Sequence, residues 1–209
     1  MKKNDFIVLL SIIIIIIILI NVSVILLKIS SINKELTGSA AGYVNLTILR
    51  VISINLSRDV MNWSSGQIDD GKLNATLYTQ GDNIGHIDRG NWSGDNAYGL
   101  IIKNLGNLNC SIYIQTEKNA HDLFNSTSYS NEEYKINVSN RLPNSCISGT
   151  LGQWINANKT SGGTLYCNQL DFHSNKNELF IDILFTVPYD SENLGLQSDN
   201  IIIYAQPPI

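Results

Sequence analysis

The sequence predicts a mostly β fold behind one N-terminal transmembrane helix, and three observations carry that prediction. A stretch without a single charge runs from Phe6 to Leu27, with isoleucine at every position from Ile12 to Ile18. Beyond Gly42 the apolar spacing changes from continuous to alternate, and it keeps that period of two almost to the end. Between the alternating stretches lie clusters of Gly, Asn, Asp and Ser, the turn chemistry that short strands need.

The first element, residues 1–29, reads as the anchor. At ~1.5 Å per residue the apolar run spans about 33 Å as a helix, enough to cross a hydrocarbon core of roughly 30 Å. A secretory signal has a shorter apolar stretch with small residues close behind it. Here the nearest such site, Ser39-Ala40-Ala41, lies well past the run, so the helix is expected to stay. Isoleucine is a mediocre helix former in water, but lipid forces every amide to bond within its own segment. The flanking charges, Lys2 and Lys3 against Lys28 and Lys34, lean only weakly towards a cytoplasmic N-terminus.

Residues 30–42 form a stalk, broken by Gly38 and Gly42, and residues 43–209 form one extracytoplasmic domain. In that domain Val44, Leu46, Ile48, Ile52, Ile54 and Leu56 share one parity, predicting a long first strand from Tyr43 to Ser57 with a bulge or break at Arg50. Further strands are expected at Leu73 to Thr79, Tyr98 to Asn104, Leu108 to Thr116, Tyr134 to Ser139, Leu179 to Val187 and Asn200 to Ala205. Asn104-Leu105-Gly106-Asn107 reads as a hairpin turn using positive φ. Seven or so short strands without an amphipathic helix argue an immunoglobulin-like or Greek-key β-sandwich.

Asn-x-Ser/Thr acceptors begin at Asn45, Asn55, Asn62, Asn74, Asn91, Asn109, Asn125, Asn137 and Asn158. Such tripeptides matter only outside the cytoplasm, which places the domain beyond the membrane. A half-buried strand produces them automatically by alternation, as at Asn45 and Asn109. Asn62, Asn91, Asn125 and Asn158 sit in turn-like sequence and are the candidate glycosylation sites. Cys146 and Cys167 are the candidate disulfide: both lie in polar surroundings, and the bridge suits an oxidising exterior. Cys110 takes the inward parity of Leu108, Ile112 and Ile114 and reads as a buried thiol.

No catalytic constellation is visible. His86, His121 and His173 are widely separated, and no nucleophile elbow or phosphate-cradling glycine loop is present. The Asp- and Asn-rich stretch from Gly81 to Asn96 carries oxygen ligands, but without EF-hand spacing it reads as a solvated loop. No metal or cofactor is expected. Trp63, Trp92 and Trp154 are read as core residues rather than sugar platforms. The net charge of −4 offers no basic surface for nucleic acid.

The segment Leu100-Ile101-Ile102-Lys103-Asn104-Leu105-Gly106-Asn107-Leu108-Asn109-Cys110-Ser111-Ile112-Tyr113 resembles the strand, Asn-x-Gly turn, strand element of extracellular β-sandwich domains in archaeal and bacterial surface proteins. With the anchor, Gly38 to Ile48, Trp63 to Ile68, the two cysteines and Phe180 to Pro188, the whole layout resembles N-terminally anchored surface proteins of small-genome archaea. A more distant resemblance is to the TasA/camelysin group, through the apolar leader, the Gly66 turn and the Asn104 to Asn107 turn. That group's members are secreted sandwiches, some of which form filaments by lending a strand to a neighbour. Archaeal pilins share the apolar helix and β-rich head, but their acidic residue after a processed N-terminus has no counterpart near Asp5.

These readings imply a non-enzymatic, membrane-anchored cell-surface protein serving an envelope, adhesion or cell-contact role. Its expected partners are the lipid bilayer, other surface proteins or copies of itself, and glycans. The alternative is a subunit of an extracellular filament or pilus, assembled by helix packing or strand donation.

Overall fold

A computed structural model of the chain describes residues 12–27, 49–127 and 132–208. The chain divides into two units, Met1–Ile48 and Leu49–Ile209. In the first unit, residues 12–27 form helix α1, and every residue of it is exposed. Its 16 residues cover about 24 Å. Among the described residues no helix is long and apolar enough to cross a membrane. The rest of the predicted anchor, the stalk and the first part of the predicted long strand, with Asn45, lie outside the described residues.

The second unit is mostly β and its strands pair antiparallel in two curled sheets. The larger sheet holds β1 (Ile54–Arg58), β2 (Asn74–Gln80), β3 (Asn83–Asp88), β4 (Leu100–Asn104), β6 (Glu133–Asn140), β7 (Ile155–Asn156) and β9 (Glu178–Pro188). The smaller sheet runs β10 (Ile201–Gln206), β5 (Cys110–Thr116), β8 (Thr164–Leu170). Alternation puts Leu179, Ile181 and Ile183 of β9 and Tyr134, Ile136 and Val138 of β6 on the inner face, where they meet Cys110, Ile112 and Ile114 of β5. A short helix, α2 (Ala120–Phe124), closes one end of this core, setting Phe124 edge-on to Phe185 with ring centroids 6.1 Å apart. Its capping box, Asn119 with Asp122, supplies the start signal, and Asn125 at φ 46° ends it.

Strand β9 organises the larger sheet. On one edge it pairs with β6 from Glu133↔Thr186 to Asn140↔Leu179. Its other edge is shared: β4 takes Glu178 to Ile181, and β2 takes Leu184 to Pro188. The sheet therefore forks at Asp182 and Ile183, with β4 carrying β1 on one branch and β2 carrying β3 on the other.

The predicted strands at Leu73, Tyr98, Leu108, Tyr134, Leu179 and Asn200 are all present with shifted ends, and Pro188 closes β9 as expected. Three features differ from expectation. In the described part of the first predicted strand, from residue 49 on, strand begins only at Ile54 and runs to Arg58, although Ile52, Ile54 and Leu56 do turn towards the core. The Gly81 to Asn96 stretch is not a free loop, because β3 occupies six of its sixteen residues and pairs with β2.

The Asn104 to Asn107 turn is not a hairpin. It carries the chain from the larger sheet to the smaller one, since β4 and β5 do not pair with each other. Neither Gly106 nor Asn107 has a positive φ. Gly106 is needed for close approach instead, because a Cβ there would stand 2.3 Å from the Val51 carbonyl oxygen. The buried side chain of Asn104 fixes the crossing: its Nδ2 donates to the carbonyls of Leu108 and Leu170, and its Oδ1 accepts from Gly106 N. Asn177 returns a side-chain bond to the Asn104 carbonyl at 2.9 Å.

Candidate functional site

The fork in the larger sheet is held by charge. Asp182 Oδ1 accepts from Gly81 N at 2.7 Å and from Thr79 Oγ1 at 2.9 Å, while Thr79 Oγ1 accepts from Ile183 N at 3.0 Å. The branches are tied again where Gly99 N donates to the Gly81 carbonyl. The register of β1 slips between Leu56 and Arg58, and Arg58 Nη1 donates to the Gly81 and Gly99 carbonyls. Its Nη2 reaches Asp82 at 2.6 Å, and Arg141 Nε lies 3.5 Å from the same carboxylate. The bond from Arg58 holds the Asp82 carboxyl below its usual range. Glu178 pairs with Lys103 at 2.8 Å and with Arg141, and the Lys103 bond heads the causes that lower its pKa.

Asp182 is shifted the other way, because burial opposes its charge more than the bonds from Gly81 and Thr79 favour it. A carboxyl whose folded pKa is raised binds its proton better in the native state. It therefore lowers stability as pH rises from the ordinary carboxylate value towards the raised one. Asp182→Asn keeps an acceptor oxygen for Gly81 and Thr79 and removes the buried charge. Urea unfolding between about pH 4 and 7 should show the variant gaining on the parent chain as pH rises. A constant difference across that range would assign Asp182 no such cost.

Beside the fork, the outer face of the larger sheet is hollowed into an open cleft of about 650 Å³. Tyr78, Asp182 and Phe180 stand on β2 and β9, Asn137 and Ser139 on β6, and Trp154 rises from the loop before β7. The β2–β3 turn with Asp82 and Asn83 bounds the opposite end. A second hollow of about 300 Å³ lies beside α2, where His121 Nδ1 stands 3.1 Å from Glu132 Oε1.

The tryptophans divide between packing and exposure. Trp63 and Trp92 are half-buried and lie on glycines: a Cβ on Gly85 would come within 2.5 Å of the Trp63 ring, and one on Gly66 within 2.4 Å of Trp92. The expectation of packing holds for both. Trp154 is exposed at the cleft, so the expectation that it is a core residue is corrected. It follows a glycine-rich turn and precedes a strand of only two residues, which gives it no second layer to enter.

The three histidines stay apart. His86 lies tilted against Tyr78 with ring centroids 4.8 Å apart, His121 faces Glu132, and His173 faces Asp171 at 2.6 Å. Among the described residues no three His, Cys, Asp or Glu side chains gather as metal ligands.

The candidate disulfide is present, joining Cys146 to Cys167 with Cα atoms 5.9 Å apart. Cys110 is fully buried, and burial pushes its thiol up to about 11, as its inward parity implies.

The four candidate glycosylation sites differ in how their amides are engaged. Asn62 and Asn91 are exposed and use only Oδ1, accepting from Ser64 N and Gln67 N. Asn125 and Asn158 are half-buried, and their Nδ2 atoms donate to Glu192 and Thr164. Asn74, Asn109 and Asn137 lie in or beside strands with Oδ1 buried and without a partner among the described residues. What sequence reasoning missed was the cleft itself. The pairing of β6, β9 and β2 gathers residues from positions 78 to 182, and only the polar outward parity of Asn137 and Ser139 hinted at it. No protein family, curated protein or solved structure matches this chain.

Proposed function

We propose that this chain is a non-enzymatic, single-pass cell-surface protein with a cytoplasmic N-terminus and an exported β-sandwich head of immunoglobulin-like or Greek-key type. The observation that carries this reading is α1, whose apolar side chains are exposed all round, with Ile12 to Ile18 each near half accessible. A helix apolar on every face needs lipid or other helices around it. The charge-free sequence continues N-terminally to Phe6, which brings the apolar length to that of a membrane span. The Cys146–Cys167 bridge supports an oxidising exterior for the head, and the unengaged amide nitrogens of Asn62 and Asn91 support glycosylation there. The layout resemblance to anchored archaeal surface proteins points the same way. Strand donation gains no support from the first strand, because β1 pairs with β4 of its own chain.

Fractionation tests the reading. Full-length protein should stay with membranes through carbonate washing and enter solution only with detergent. Protease added to intact cells should remove the head, and peptides spanning Asn62 and Asn91 should carry added sugar mass. Recovery of the protein in sheared, membrane-free filaments, or its release by carbonate, would replace the anchored reading with the filament one.

A further inference from the structure

We propose that the cleft on the outer face of the larger sheet binds a neutral oligosaccharide. The inference deepens the surface-protein reading by naming a ligand class for the head, and it rests on that reading only for its biological setting.

The charges around the cleft are already engaged. Asp82 is held by Arg58 and Arg141, Arg141 also by Glu178, and Asp182 by Gly81 and Thr79. An anionic ligand would be repelled by the carboxylates of Asp82 and Asp182, the latter engaged through Oδ1 alone. The remaining groups of the lining are uncharged. Gln80, Asn83 and Ser139 make no side-chain hydrogen bond among the described residues, and Asn140 uses only its Oδ1, accepting from Cys146 N. Asn137 Oδ1, on the floor, is buried without a donor, so its amide gains by turning to meet an incoming hydroxyl. Amides and hydroxyls both donate and accept, which matches a ligand dense in hydroxyl groups.

Trp154 on one side and Tyr78 on the other add aromatic faces for the C–H surfaces of sugar rings. From the β7 side across β6 and β9 to β2 is three strand spacings, about 14 Å, the length of a short chain of rings rather than one. The cleft is open, and its volume of about 650 Å³ leaves room for a chain of rings lying across the sheet. An added peptide strand fits poorly, because the cleft lies on a sheet face and offers no free backbone edge. Asn137 itself begins an acceptor tripeptide, and a glycan attached there would fill the cleft.

The test uses full-length protein in a detergent without sugar headgroups, titrated calorimetrically with maltotriose, with the N-acetylglucosamine trimer and with a trimer of galacturonic acid. At least one neutral trimer should bind and the acidic one should not. Trp154→Ala should weaken that binding about tenfold, and Ser139→Arg, which blocks the floor from an outward position, should abolish it. Both variants should keep the parental melting temperature, and Trp92→Phe should leave binding unchanged. Absence of binding by both neutral trimers, binding indifferent to Trp154→Ala and Ser139→Arg, or a glycan on Asn137 would overturn the proposal. None of these results touches the fractionation outcome, so the cleft and the anchor stand or fall separately.

Discussion

Removing the Cys146–Cys167 bridge should lower the stability of the head by about 3 kcal/mol, the chain-entropy value for a loop of its length. The mechanism lies mainly in the unfolded chain. In the native state the segment before β8 is already laid along it by backbone bonds: Ile147 N to Gln169 O, Thr150 N to Tyr166 O, Asn168 N to Ser148 O and Asp171 N to Ser145 O. Those bonds survive Cys146→Ala with Cys167→Ala, so the native fold should persist while the unfolded ensemble expands. For a head of this size the melting midpoint should fall by roughly 6 to 12 °C. Reduction with dithiothreitol should reproduce the shift in the parent chain and do nothing to the double variant. Equal midpoints with and without reductant would remove the bridge from the account.

Asn104→Ala should cost about as much, roughly 3 kcal/mol, by a different route. The substitution leaves the carbonyl of Leu170 buried without its donor and strips the crossing between sheets of its bonds to Leu108 and Gly106. Asn104→Asp should be no rescue, since a carboxylate keeps the acceptor for Gly106 and repels the two carbonyls it would face. Chemical denaturation reads both. A loss under about 1 kcal/mol for the alanine variant would mean that the turn relaxes around the missing amide.

The strands were legible because each buries one face and so writes a period of two: Leu179, Ile181 and Ile183 inward, Phe180 and Asp182 outward. β8 was harder, since Thr164 to Leu170 mixes Asn, Gln and Cys, and its register against β5 slips twice. α2 escaped because five residues are too few to show a helical period, although the Asn119 and Asp122 cap was present in the sequence. At Asn104 to Asn107 the turn chemistry was read correctly and its geometry was not. Asn-x-Gly serves a sharp reversal and a crossing between sheets alike, and only the partner of Asn104, far along the chain at Leu170, separates them. The disulfide followed from composition and spacing. The cleft could not, because its floor forms only through pairing of β9 with strands some forty to a hundred residues earlier.

The fork at β9 has a consequence for the order in which this protein assembles. β4 and β2 each need β9 as a neighbour, yet among the described residues β9 is the ninth of ten strands to leave the ribosome. Until residue 188 has emerged, β2 can pair with β3 and β4 with β1, but the two pieces lack the strand that pairs with both. Contacts this distant in sequence carry a loop-closure penalty before any reward, which makes folding slow and leaves strand edges open meanwhile. A chain stopped before Glu178 should therefore aggregate or be degraded. One stopped just after Pro188, lacking only β10, should retain the larger sheet.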